Sequence, residues 1–193
     1  MNEALREGLA RLSSPPQAQA FRTRPVDLGA CYYPNLDNVW EVLDEVERDR
    51  QMILVDVNLL VYAWDRGAAC HESAVRWLDS KLSESARVGL PWECLLDFMR
   101  VVTNPRIHER PTPVNVAWRQ VEHWLSARSA WVPLPGDRHQ EILGRLLIRL
   151  GGGARLIPDA HLAALAIEHG LDLCSTDGDF ARFDGLRWVN PLS

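Results

Sequence analysis

Four aspartates are predicted to lie near the same edge of a sheet, either directly after a strand or on a helix: Asp56, Asp97, Asp159 and Asp177. Asp56 follows the apolar run Ile53-Leu54-Val55, and Asp177 follows the run from Leu171 to Thr176. Parallel strands end at one edge of their sheet, where ligands of such folds bind. The spacing therefore predicts that Asp56 and Asp177 emerge side by side.

The other two carboxylates lie on predicted helices. Asp159 opens the segment Asp159-Ala160-His161-Leu162, where a carboxylate meets the favourable end of the helix dipole. Asp97 lies on a helix from 92 to 103, with Glu93 one turn earlier and Arg100 one turn later. The candidate site thus contains Glu93 as a fifth carboxylate.

Clustered carboxylates repel one another and raise one another's pKa unless a positive group intervenes. Mg²⁺ resolves the repulsion, with Mn²⁺ as an alternative, because hard cations take oxygen ligands and retain water for phosphodiester cleavage. No histidine or cysteine cluster in the sequence favours zinc. Each aspartate taken singly is also a plausible helix cap or turn former.

Alternating short strands and amphipathic helices must position these side chains. Helical patterns are predicted near 72–82, 92–103, 113–127, 138–149 and 159–169, and strands near 52–55, 87–90, 131–134, 171–174 and 186–189. This order predicts a three-layer α/β/α sandwich with a central, mainly parallel sheet.

Composition restricts the class of protein. The 193 residues are 47% hydrophobic with a net charge of −5, which excludes a generic basic nucleic-acid binder. No apolar run reaches the length of a membrane span and no signal peptide is predicted, so we expect a cytoplasmic protein. The four cysteines are widely spaced and predict reduced structural thiols.

Four ordered motifs carry a family resemblance from Met52 onward. They are Ile53-Leu54-Val55-Asp56-Val57-Asn58, Leu95-Leu96-Asp97-Phe98-Met99-Arg100-Val101-Val102-Thr103-Asn104-Pro105, Asp159-Ala160-His161-Leu162-Ala163-Ala164 and Ser175-Thr176-Asp177-Gly178-Asp179-Phe180. Together they resemble the PIN-domain ribonuclease toxins called VapC. The resemblance implies a Mg²⁺-dependent endoribonuclease in which Asp56 and Asp159 are the principal metal ligands and Asp97 and Asp177 complete the acidic pocket. The family often has Glu at position 97, a role that Glu93 could fill here.

Several further residues have two interpretations. Asn58 and Thr176 are candidates for phosphate or supporting hydrogen bonds or ordinary turn residues, and Asp179 is expected to cap a short helix. His161 is expected to be a partly buried helix residue rather than a base. Arg100, Arg106 and Arg110 are candidates for RNA phosphate contacts, or for an ion pair in the case of Arg100. Most tryptophans among Trp92, Trp118, Trp124, Trp131 and Trp188 are expected to lie in the core, although bases can stack on such rings.

Residues 1–51 form a separate arm before the nuclease-like domain, residues 52–193. The arm has a short helical pattern, an extended stretch with Arg22 and Arg24, and an amphipathic helix with a stripe of Leu36, Val39, Trp40 and Leu43. It resembles the toxin-embracing tail of a VapB antitoxin. Arg22 or Arg24 could enter the acidic pocket, and the stripe could lie in a groove of the toxin. An ordinary N-terminal extension is the alternative.

The sequence thus predicts an endoribonuclease toxin of a type II toxin-antitoxin system with an inhibitory N-terminal segment. The alternatives are a catalytically closed toxin-antitoxin regulatory module and a metal-dependent phosphatase or 5′-nuclease. The expected partners are RNA, an antitoxin in cis or in trans, and a second copy in a homodimer. The DNA-reading ribbon of an antitoxin is missing from the sequence, so we do not expect this chain alone to bind DNA.

Overall fold

A computed structural model describes residues 51–149 and 153–193. The predictions for the arm, including Arg22, Arg24, Leu36, Val39, Trp40 and Leu43, fall on residues outside this description. Within the described residues, no helix has both the length and the apolar character needed to cross a bilayer.

Five parallel strands form the central sheet in the order β3-β2-β1-β4-β5. The strands are β1 (Ile53–Val55), β2 (Val88–Gly89), β3 (Ala130–Trp131), β4 (Asp172–Cys174) and β5 (Trp188–Val189). β1 lies at the centre, where its three residues are all buried. A continuous apolar run is what a strand covered on both faces requires.

Helices connect the strands and cover the sheet. They are α1 (Val57–Trp64), α2 (His71–Ser83), α3 (Trp92–Val102), α4 (Val114–Leu125), α5 (His139–Arg149) and α6 (Ile157–His169), with short 3₁₀ helices at Ala154–Leu156 and Gly178–Arg182. The predicted α/β/α sandwich is confirmed. The strand and helix boundaries predicted from the sequence are off by a few residues; α6, for example, begins at Ile157 rather than Asp159.

The strand order creates a switch point between β1 and β4. From β1 the chain proceeds through α1 and α2 to β2, and from β4 it proceeds in the other direction to β5. α1 packs against α2 and α3, whereas α5 packs against α6. Right-handed crossovers place these two helix groups on opposite faces of the sheet. A crevice therefore opens at the carboxyl ends of β1 and β4, between the two layers.

The core explains why these two strands are held firmly. α6 has a continuous buried segment of Leu162, Ala163, Ala164, Leu165 and Ala166. Four fully buried alanine or leucine positions in a row leave the helix almost without a polar face in its middle, and small alanine side chains allow close packing against its neighbours. Asp159 lies at the amino end of this anchored helix and is fixed relative to the sheet.

Cys94 and Cys174 are buried free thiols and Cys70 is a half-buried one. This agrees with the prediction of reduced structural cysteines for the three that lie within the described residues. Burial, followed by the charge of Asp56, raises the pKa of the Cys94 thiol well above its ordinary value. Cys94 is accordingly a neutral core residue beside the acidic edge and not a thiolate ligand.

Candidate active site

Asp56 lies at the carboxyl end of β1 and is almost completely buried. It is the N-cap of α1, and its Oδ1 accepts a hydrogen bond of 2.7 Å from the backbone N–H of Val57. Its Oδ2 accepts a hydrogen bond of 2.7 Å from the hydroxyl of Ser175. Burial nevertheless raises its pKa, and the charges of Asp177 and Asp97 raise it further. The protein holds this carboxylate in place but only partly compensates its charge.

Ser175 connects the ends of β1 and β4. The register pairs Val55 with Cys174, so the next residues, Asp56 and Ser175, lie level with each other. The Ser175 hydroxyl donates to Asp56 and accepts hydrogen bonds of 2.9 Å from Asn58 Nδ2 and from the backbone N–H of Asp177. Ser175 was not among the residues predicted to form the site, although its position two residues before Asp177 was an available signal.

Asp177 follows β4 and is exposed. It caps the 3₁₀ helix Gly178–Arg182, with Oδ1 accepting a 2.8 Å hydrogen bond from the N–H of Asp179. The expectation that Asp179 is the cap is therefore wrong. Asp179 instead forms ion pairs with Arg155 at 2.7 Å and with Arg182 at 3.2 Å. These pairs place two arginines beside the acidic edge, and neither was predicted to be there.

Asp159 lies in the first turn of α6 and is partly buried. Burial and then the charges of Asp56, Asp177 and Asp179 raise its pKa to about 6, although Arg155 acts in the opposite direction. The positive end of the helix dipole alone would favour the ionised form. Its raised pKa therefore reflects burial first and the charges of the neighbouring carboxylates second.

Asp97 and Glu93 project from α3 and have different partners. Asp97 forms an ion pair of 2.5 Å with the exposed Arg100, so the interpretation of Arg100 as an ion-pair partner is confirmed. Glu93 Oε1 lies 3.1 Å from Nε2 of His161 on α6. Asp97 still acts on Asp56, whose pKa its charge raises.

Asp56 thus lies within electrostatic range of the other three predicted aspartates, and Asp177 also acts on Asp159. Among residues 51–149 and 153–193, no three His, Cys, Asp or Glu side chains are arranged so that together they could hold a metal ion. Mg²⁺ keeps several waters and needs only one or two protein carboxylates, so the all-oxygen donor set fits this ion better than zinc. Burial and neighbouring carboxylates both raise the pKa values of Asp56 and Asp159, and a bound cation would offset this cost.

Residues 53–186 match the PIN domain family. The chain belongs to the PIN domain family. Over 140 residues it is 46% identical to ribonuclease VapC37 of Mycobacterium tuberculosis, an alignment that covers 72% of this chain and 97% of that protein. The PIN domain is therefore of VapC type.

Solved structures share the fold of this PIN domain. The VapBC2 structure from Rickettsia felis, bound to a promoter DNA fragment, has a TM-score of 0.52 at 15% identity and covers 72% of this chain and 98% of that one. VapC20 of Mycobacterium tuberculosis, described as a toxin that cleaves the sarcin-ricin loop, has a TM-score of 0.52 at 21% identity and covers 70% and 98%. At these identities the likeness concerns the fold alone.

The remaining candidate residues of the PIN domain either lie near Ser175, pack in or against the core, or are exposed at the surface. Asn58 bonds to Ser175, and Thr176 is half-buried beside it. Trp124 is buried, and Trp131 and Trp188 pack partly buried against the core, as expected. Trp92 and Trp118 are exposed instead and stack on each other at a centroid distance of 6.4 Å. Two adjacent indoles shield each other and need no place in the core.

The raised pKa of Asp159 predicts a pH-dependent effect on stability. Its pKa of about 6 in the folded protein exceeds the ordinary value of 3.8 for an aspartate, so folding is accompanied by proton uptake at pH values between the two. Its stabilising contribution is complete below the lower value and is lost as pH rises through the upper one. Asp159→Asn should therefore raise the melting temperature at pH 8, and the gain should shrink toward pH 4.

Parallel melting curves of wild type and Asp159→Asn without divalent ions check this, with Asp184→Asn as a control. Asp184 forms an exposed ion pair with Arg149 and is not among the charges that act on Asp159. An Asp159→Asn gain that is constant with pH would contradict the assignment of electrostatic crowding at Asp159.

Proposed function

We propose that this chain is an endoribonuclease toxin that uses Mg²⁺, or Mn²⁺ in its place, at the carboxyl edge of the sheet. The observation that carries the proposal is the crowding of carboxylates at the switch point, where Asp177 acts on the buried Asp56 and where Asp56 and Asp177 both act on Asp159. A structural cap needs no such crowding. The ribonuclease name of the relative VapC37, with which the chain shares nearly that protein's full length, supports the same activity.

Asp56 and Asp159 are the proposed principal metal ligands, and Asp177 and Asp97 complete the pocket. A divalent cation bound there supplies Lewis-acid stabilisation of the cleaved phosphodiester and lowers the pKa of a water. Asp56 provides a fixed ligand because Val57 and Ser175 hold both of its oxygens. Asp159 provides a ligand whose side chain can change its orientation, since it is only partly buried at a helix end.

The other site residues are proposed to accept a proton from the attacking water or to bind RNA phosphates. Asp177 is exposed at the mouth of the crevice, where its carboxylate can accept a proton from the attacking water. Asp97 is the alternative acceptor, although its carboxylate is already paired with Arg100. Arg155 and Arg182 are arranged around Asp179, and their exposed guanidinium groups can hold phosphates of the RNA on either side of the cleaved bond.

RNA cleavage must be separated from phosphatase or 5′-nuclease activity on the same metal site. Residues 52–193 correspond to nearly the whole length of VapC37, and these residues are assayed beside the full chain. We expect Mg²⁺-dependent internal cuts in total cellular RNA, mapped by primer extension, and no phosphate release from monoesters. Phosphate release with intact structured RNA would overturn the endoribonuclease assignment, as would shortening from the 5′ end alone.

The N-terminal arm is the proposed inhibitor, in cis or in a neighbouring chain. Arg22 and Arg24 carry positive charge that an acidic edge attracts, and arginine binds carboxylates bidentately. We expect Arg22→Ala with Arg24→Ala to increase cleavage by the full chain toward the rate of residues 52–193. The matched control is Arg6→Ala with Arg11→Ala, which removes equal charge from the predicted first helix.

Equal cleavage by the full chain and by residues 52–193 would show that the arm does not inhibit. If the full chain and its Arg22→Ala and Arg24→Ala form are both inactive while residues 52–193 cleave RNA, the inhibition does not depend on these arginines. The closed regulatory module would then account better for the arm. A separate antitoxin chain and a homodimer remain the proposed protein partners.

A further inference from the structure

A line of four side chains connects the interior of the PIN domain to the acidic edge. His139 Nε2 and His161 Nδ1 are hydrogen-bonded at 3.0 Å, with their rings close to perpendicular. His161 Nε2 then lies 3.1 Å from Glu93 Oε1. At the inner end, His139 Nδ1 lies 3.5 Å from Glu168 Oε2. The line joins α5, α6 and α3, and so spans both helical layers at the carboxyl edge.

The inner end of this line is anchored by backbone groups. Glu168 accepts hydrogen bonds of 3.0 Å from the N–H groups of Gly136 and Arg138, which lie just before α5. A Cβ at position 136 would lie 2.7 Å from Glu168 Oε1, so only glycine permits this approach. Glu168 thereby holds the start of α5, where His139 is the first residue. Glu168 consequently fixes the backbone that carries His139, whereas His139 Nδ1 itself makes no hydrogen bond within the described residues.

Solvent exposure increases steadily along the line. The side chains of Glu168 and His139 are 8% and 9% exposed, that of His161 is 23% exposed and that of Glu93 is 49% exposed. A pair made only for stability would be expected to end in the core. Here the fixed part lies inside and the free carboxylate lies at the surface, one helical turn from Asp97.

Glu93 is the better placed of the two α3 carboxylates to remain free for the site. Asp97 is paired with Arg100, whereas no arginine or lysine in the described part of the chain lies within ion-pair distance of Glu93. Its only ionic neighbour there is His161, which lies two residues after Asp159 on α6. Within the described residues, His161 Nε2 has no aligned hydrogen bond, and the Glu93 carboxylate at 3.1 Å is placed to accept one from it.

We propose that His161, backed by His139 and Glu168, is a positioning residue that fixes the Glu93 carboxylate at the nuclease site. The inference rests on the proposed function. His161 acts through Glu93 and takes no proton from the substrate. Its role resembles that of outer partners that orient the groups around a metal, whose loss lowers activity by about 10- to 100-fold.

A double-mutant cycle tests the proposal, with RNA cleavage measured for the full chain and for residues 52–193. His161→Phe and Glu93→Gln should each lower kcat by about tenfold with little change in KM. The double variant should be no slower than Glu93→Gln alone, because His161 then has nothing left to position. His161→Gln, which retains a donor, should recover most of the activity. His169→Gln is the control, since His169 is on the same helix but bonds to the Leu134 carbonyl.

A spectroscopic readout that needs no RNA accompanies the cycle. In the full chain, the imidazole ¹⁵N signals of His161 should shift in Glu93→Gln and stay in place in Glu122→Gln, an exposed control on α4. Unshifted signals in Glu93→Gln would overturn the proposal, as would losses that multiply in the double variant. Absence of cleavage by both wild-type forms would instead overturn the proposed function.

Discussion

Asp56→Asn is expected to lower the rate of RNA cleavage by about 10³-fold, the loss typical of removing a group that stabilises transition-state charge. The substitution should leave the domain folded. Asparagine is also a good N-cap for α1, and removal of a buried negative charge offsets the weakened bond from Ser175. Because burial raises the pKa of Asp56, its ionised form opposes folding at neutral pH.

The rate of cleavage and the melting temperature are therefore measured on the same preparations of Asp56→Asn. Asp65→Asn is the matched control, since Asp65 lies at the other end of α1 and bonds only locally to Gly67. A variant that melts like the wild type and cleaves at the wild-type rate would move the active site away from the end of β1. A variant that is inactive because it is unfolded would contradict the expected separation of activity and stability.

Ser175→Ala is expected to lower the free energy of unfolding by about 3 kcal/mol, because it leaves buried polar partners unsatisfied. The Asn58 amide and the Asp177 N–H lose an acceptor, and Asp56 loses a donor. Cleavage should fall as well, since the pKa of Asp56 rises further and its carboxylate keeps only the Val57 N–H and the long 4.0 Å contact with the Cys94 thiol among the described residues. Urea unfolding and the cleavage assay measure the two effects.

Ser129→Ala is the control for this prediction. Ser129 is also buried, but its hydroxyl makes a single hydrogen bond of 2.8 Å to the Leu82 carbonyl, away from the acidic edge. Its loss should cost about 1 kcal/mol and leave the rate of cleavage unchanged. Similar stability losses in both variants would show that Ser175 is an ordinary buried hydroxyl and not the connection between the two strands.

The sequence was sufficient to predict the sheet and the helices that follow its strands. Apolar runs such as Ile53-Leu54-Val55 are bounded by polar residues, and α3 was predicted almost to its ends because its apolar stripe is clear. α1 was not among the predicted helices. Its sequence, Val57–Trp64, is rich in β-branched and aromatic residues and lacks a polar face, so only packing against α2 and α3 makes it helical.

The positions of Asp56 and Asp177 at one edge were predictable because the ends of parallel strands meet there. The hydrogen-bond partners of the site residues were not predictable. The contact between Ser175 and Asp56 depends on the exact register of β1 and β4, which no local pattern contains. The pairing of His139 with His161 depends on how α5 packs on α6. The N-cap of the 3₁₀ helix after β4 was predicted to be Asp179, whereas the structure has Asp177 there. Sequence patterns do not resolve a two-residue difference in where such a helix starts.

Direct binding of Mn²⁺ tests the central claim most directly, because it reports the acidic edge without any RNA. Electron paramagnetic resonance titrations of residues 52–193 should show saturable binding that Mg²⁺ displaces. Asp56→Asn and Asp159→Asn should each abolish this binding at the same concentrations, and Asp65→Asn should retain it. Binding of equal affinity and stoichiometry in the wild type and in both site variants would contradict a divalent-metal site formed by Asp56 and Asp159.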